Sequence, residues 1–105
     1  MKKILFLLAI TGIVTAAYRA LVTTAPKGAA EDAARQDRMR FFYSFSQMWC
    51  SIANSKYECA KATSDVHAVP RVRVDSTLRN LKEFQDTFVC PAGKFMKKET
   101  RCEVF

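Results

Sequence analysis

The chain has 105 residues, half of them hydrophobic, and its 17 basic and 10 acidic side chains leave a net charge of +7. A chain of this length forms at most one domain with a modest core. The cations are dispersed, with no block of five like charges, a solvated-surface pattern that argues against nucleic-acid binding, and the single histidine, His67, rules out an H-E-x-x-H zinc helix.

Residues 1–16 carry Lys2-Lys3, the apolar run Ile4 to Ile10 and then Val14-Thr15-Ala16, the charged, apolar and small-residue order of a cleavable secretory signal. Cleavage after Ala16 leaves a secreted chain of residues 17–105, which loses Lys2 and Lys3 so that the charge falls from +7 to +5. The alternative is a membrane anchor through residues 4–14 if cleavage does not occur. Thr11 and Gly12 interrupt that stretch, which is shorter than the roughly 20 residues of a spanning helix, so no stable membrane span is expected after cleavage.

Ala16 to Val22 is compatible with a helix, ended by the turn chemistry of Pro26-Lys27-Gly28. From Ala29 to Ser51 helix formers dominate, and Phe41, Phe45, Met48 and Trp49 fall on one apolar face. Helical spacing alone accounts for that stripe, which therefore reads as core and not as a ligand box. Asn54 to Ser64 predicts a short helical turn within a loop, with Tyr57 as its apolar anchor. Arg71-Val72-Arg73-Val74-Asp75 alternates with period two and predicts a half-exposed extended segment with Val72 and Val74 inward. Asn80-Leu81-Lys82-Glu83 reads as a capping box opening a helix striped by Leu81, Phe84 and Phe88, which should stop at Cys90-Pro91. Pro91 to Lys94 is a turn, followed by a short tail to Phe105. The amphipathic pieces are too few to enclose one another's apolar faces.

Four cysteines, Cys50, Cys59, Cys90 and Cys102, in a small chain with an export signal predict disulfides, with three connectivities open if all pair internally. No C-x-x-C occurs among them, so a structural zinc site lacks its usual local clips. The segment from Asp65 through His67 to Arg73 is the main chemical candidate, because a carboxylate, an imidazole and a guanidinium at this spacing can stabilise negative charge on a reacting carbonyl. Taken alone, His67 reads as an ordinary surface or loop histidine and Arg73 as a solvated charge on an extended edge.

A family resemblance gives the segment more weight. Phe41-Phe42-Tyr43-Ser44-Phe45-Ser46-Gln47-Met48-Trp49-Cys50, then Asp65-Val66-His67, Arg73, Thr77-Leu78, Glu83-Phe84, Phe88-x-Cys90 and Cys102-x-Val104-Phe105 resemble the extreme C-terminus of the neprilysin-like zinc metallopeptidases, from about Gly12 to the last residue. The resemblance implies a mainly α fold, the incomplete helical C-terminal portion of a zincin-type catalytic domain, here with one short extended segment near residues 71–75. It implies zinc-dependent hydrolysis of peptide substrates in the parent family. In such a cleft His67 stabilises the oxyanion, Arg73 holds a substrate backbone carbonyl and Asp65 is the supporting carboxylate that orients His67. An oxyanion donor of this kind is worth about 2.7–4 kcal/mol of transition-state stabilisation.

The departures from the family pattern carry equal weight. The family's third zinc ligand and its supporting aspartate fall on Phe6 and Ile10, both apolar, and the zinc-binding helix has no counterpart. The chain is thus expected to begin just past the zinc site, to bind no zinc and to cleave nothing alone, with the missing N-terminal part of a peptidase as a candidate partner. Ala68-Val69-Pro70 replaces the family's Ser-Pro-Gly. The family pairs the counterparts of Cys50, Cys90 and Cys102 with upstream cysteines, whereas Cys59 is additional, so Cys50–Cys59 with Cys90–Cys102 becomes one internal option. The alternative function is a small secreted, disulfide-bonded binding or structural protein derived from that fold. A basic membrane-active peptide rests on charge alone and is disfavoured by its dispersal.

Overall fold

The computed structural model describes residues 2–28, 30–97 and 99–100. It contains five helices, α1 (Lys2–Thr24), α2 (Glu31–Gln47), α3 (Ser55–Ser64), α4 (Pro70–Arg79) and α5 (Lys82–Phe88), and no strand among the described residues. The mainly α expectation holds.

α1 runs unbroken through Thr11 and Gly12, where the sequence marks an interruption. Thr11 Oγ1 donates to the Leu7 carbonyl and Thr15 Oγ1 to that of Thr11, both at 2.9 Å, which keeps these hydroxyls satisfied inside an apolar helix. The helix stops ahead of Pro26, and Gly28 takes a φ of 94° that suits glycine alone. α2 opens with Glu31 and Asp32 at the positive end of its dipole, and Arg38 reaches back to Glu31 at 2.6 Å.

α1 packs on α4 and α2, while α5 closes against α2 and α4. The shared core is Val14 and Tyr18 from α1, Phe42 and Phe45 from α2, Leu78 from α4 and Leu81. Phe42 is its centre, 1% exposed, with ring centroids of Tyr18 at 5.4 Å, Phe84 at 5.4 Å and Phe88 at 6.1 Å. Three helices therefore meet on one ring. The stripe read from the sequence passed beside this residue: Phe45 is buried and Phe41 and Trp49 are half-buried, but Met48 is 72% exposed.

Two local expectations are corrected. Residues 71–75 are helical, not extended. Pro70 occupies the first turn of α4, where its missing N–H costs nothing, Arg71 pairs with Asp75 at 3.4 Å across one turn, and Thr77 and Leu78 bury the helix's core face. The capping box is also not formed as read. Asn80 ends α4 in an αR conformation, and Leu81 takes the cap position of α5 without a side-chain cap. With the two helices directly abutting, the Asn80 and Leu81 amides are used on the Thr77 and Leu78 carbonyls, and Gln85 Nε2 donates to the Arg79 carbonyl at 2.9 Å to finish the corner.

Cys50, Cys59 and Cys90 are free thiols, so the Cys50–Cys59 bridge is absent. Cys50 lies just past α2 and Cys59 on α3, both exposed to solvent. Cys102 lies outside the described residues, and with it the Cys90–Cys102 option.

Candidate functional site

α3 and the turn after it set the site. Asn54 caps α3, its Oδ1 accepting from the Tyr57 N–H at 2.8 Å. The helix ends at Ser64, and Asp65 leaves it in an extended conformation. Its carboxylate is then shared in two directions. Oδ1 accepts the His67 backbone N–H at 2.9 Å and lies 2.9 Å from His67 Nδ1, while Oδ2 accepts from Lys61 Nζ at 2.8 Å. Asp65 therefore fixes both the backbone and the ring of His67, and Lys61 fixes Asp65.

This arrangement holds the Asp65 carboxyl well below the usual carboxylate range, chiefly through the Lys61 hydrogen bond and next through the His67 amide. A lowered folded pKa makes the contribution of Asp65 to stability complete above roughly pH 4, and it is lost only as pH falls through the folded value. Lys61→Met is expected to move Asp65 titration up toward the ordinary range, read by carboxyl chemical shifts over an acid titration. An unmoved midpoint would mean that Lys61 does not hold the carboxylate.

Beyond His67 the chain buries Ala68 and enters α4 at Pro70. Arg73, one turn into α4, donates from its amide to the Val69 carbonyl at 3.1 Å and from Nε to the Ala68 carbonyl at 2.6 Å. Its guanidinium lies over the rings of Trp49, at 4.6 Å, and Phe6, at 5.3 Å, a cation–π arrangement that fixes the plane of the fork. The terminal nitrogens of Arg73 form no hydrogen bond among the described residues. Phe6 also meets His67 edge-on, with ring centroids 4.9 Å apart, and Lys3 Nζ donates to the Ala62 carbonyl, tying the start of α1 to α3.

Asp65, His67 and Arg73 thus share one open cleft of about 610 Å³, walled on the other side by residues 51–54, Tyr57 and Glu58. All three candidate residues from the sequence come together there. What the sequence did not mark is the packing behind them. Lys61 is not among the residues singled out from the sequence, although its i, i+4 spacing to Asp65 is a signal for it, whereas the positions of Phe6 and Trp49 beside Arg73 depend on α1 and α2 meeting α4. Around His67, Asp65 is engaged by Lys61 and His67, and the Phe6 ring stands edge-on to the imidazole. Among the described residues no three His, Cys, Asp or Glu side chains cluster as a metal site.

The model of Peptidase family M13 matches residues 8–104 of this sequence. The chain belongs to peptidase family M13. Endothelin-converting enzyme 1 of Cavia porcellus is 35% identical over 98 residues, covering 90% of this M13 chain and 13% of that enzyme. Neprilysin-3 of Drosophila melanogaster is 40% identical over 65 residues, covering 62% of this chain and 8% of the relative. An endothelin-converting enzyme homolog of Locusta migratoria is 42% identical over 65 residues, covering 62% and 9%. The M13 chain therefore spans no more than 13% of the length of these relatives. No solved structure matches it.

Proposed function

We propose that this M13 segment forms the substrate-holding and charge-stabilising wall of a peptidase cleft, and that it hydrolyses no peptide bond alone. The observation that carries the reading is the convergence of Asp65, His67 and Arg73 on one cleft, with the terminal nitrogens of Arg73 unengaged. An extended peptide entering the cleft presents backbone carbonyls, hydrogen-bond acceptors that a planar guanidinium recognises well. Arg73 donates to one such carbonyl while Ala68, Phe6 and Trp49 keep its fork from turning away. Asp65 accepts from Nδ1 of His67, so that in the imidazolium form Nε2–H is left to donate to a neighbouring carbonyl oxygen on which negative charge develops. A metallopeptidase needs a metal-bound water and a base as well, and neither is supplied by the side chains around His67.

The purified full chain, incubated with a quenched-fluorescence peptide and zinc, is expected to give no chelator-sensitive cleavage; such cleavage would overturn the non-catalytic part of the proposal. Peptide binding read by calorimetry tests the rest. Arg73→Met is expected to weaken it by about tenfold or more, the usual cost of losing a hydrogen bond to a charged group. Equal affinity in the variant would remove Arg73 from the proposed role.

A further inference from the structure

α1 is apolar on both sides, and the fold uses one of them. Thr11, Gly12, Val14 and Tyr18 are buried, while Leu5, Ala9, Ile13, Ala16 and Ala20 are exposed and, three or four residues apart, form a single outward stripe. Leu5 is 64% and Ile13 69% exposed. Beside the stripe, α1 and α2 enclose a shallow groove of about 330 Å³ that includes Ile10, Phe41, Met48 and Trp49, with Ser44 as its one hydroxyl. A helix that is hydrophobic all round belongs wholly in apolar surroundings, and α1 is long and apolar enough to meet a bilayer.

The charges select the kind of surface. Residues 2–24 contain Lys2, Lys3 and Arg19 and not one Asp or Glu, and residues 41–50 carry no charge at all. Lys3 is held by the Ala62 carbonyl, which leaves Lys2 and Arg19 as the exposed cations; a face with a cation near each end, hydrocarbon between them and almost no directional hydrogen-bonding group suits a negatively charged lipid surface. We propose that the outward stripe of α1 and the adjoining α1–α2 groove dock on an anionic membrane, with α1 lying along the interface. It lies there and does not cross, because crossing would strip Val14 and Tyr18 from the core. This proposal is independent of the peptidase reading.

The test is flotation of the full chain with vesicles of phosphatidylcholine alone and of phosphatidylcholine mixed with phosphatidylserine. The expected result is phosphatidylserine-dependent, salt-weakened co-flotation with a blue shift of Trp49, the only tryptophan and a residue of the groove. The double variant Leu5→Glu, Ile13→Glu, altered only on the exposed face and confirmed as folded by circular dichroism, should bind at least about tenfold more weakly. Absence of co-flotation, undiminished binding by the double variant, or equal binding to neutral vesicles would each overturn the proposal. So would self-association of the chain that the same substitutions abolish, which would make a second copy the occupant. Loss of the cooperative thermal transition on binding would mean that α1 had left the fold, and would overturn docking as well.

Discussion

Phe42→Ala is expected to cost about 3–5 kcal/mol of folding stability, the usual penalty for emptying a buried aromatic site. Phe42 is 1% exposed and its ring meets Tyr18 of α1, Phe41 of α2 and both Phe84 and Phe88 of α5, so no single neighbour can move in to fill the space. A domain this small has roughly 5 kcal/mol in total to lose, and the variant should therefore be largely unfolded at room temperature. Urea denaturation followed by circular dichroism measures this directly. Tyr43→Ala is the control: the side chain next in sequence is 56% exposed and, among the rings of the described residues, meets only Phe88, so about 1 kcal/mol is expected. Similar midpoints for the two variants would place the core elsewhere.

Removal of residues 1–16 should have an effect at least as large. Those residues have the order of a secretory signal, yet in the fold they carry Val14 in the core, Phe6 against His67 and Arg73, and Lys3 on Ala62. What remains of α1 is a stub of residues 17–24, too short to hold helical structure by itself, with Tyr18 as its one buried anchor. A chain starting at Ala17 is expected to show no cooperative thermal transition, and its tryptophan emission should match that of the full chain in urea. If the truncated chain melts like the full one, residues 1–16 are dispensable, and a cleavable leader becomes the better account of them.

The sequence made the site more legible than the packing. The Asp65, His67 and Arg73 positions follow from spacing within a single short stretch, so local turns bring them together: the Asp65 carboxylate on the His67 amide, then Pro70 opening α4. Phe42 was harder to find because the buried arc of α2 is wider than one stripe. α1 approaches it from one side and α5 from another, so both Phe41 and Phe42 meet packed rings, and a periodicity counted from Phe41 sees only half of that arc. Arg71 to Asp75 misled for a related reason. Two valines between charged residues alternate as in a strand, but the deciding residues lie outside that window: Pro70 before it and Thr77-Leu78 after it, at helical spacing from Val74. The capping box is not formed as read at Asn80 because α4 and α5 abut: Asn80 ends α4, the Asn80 and Leu81 amides donate to the Thr77 and Leu78 carbonyls, and Gln85 Nε2 satisfies the Arg79 carbonyl at the end of α4.

The contact of Phe6 with His67 and Arg73 has a consequence for how this chain can vary. α1 is anchored in the core at Val14 and delivers Phe6 to the cleft from the same rigid rod. Each residue added to or removed from a helix turns everything beyond it by about 100°. The stretch between Phe6 and Val14 is therefore a gauge of fixed length: it accepts many exchanges of one outward side chain for another, but a single inserted or deleted residue would swing the Phe6 ring off both cleft residues while leaving the helix, and its overall apolarity, intact.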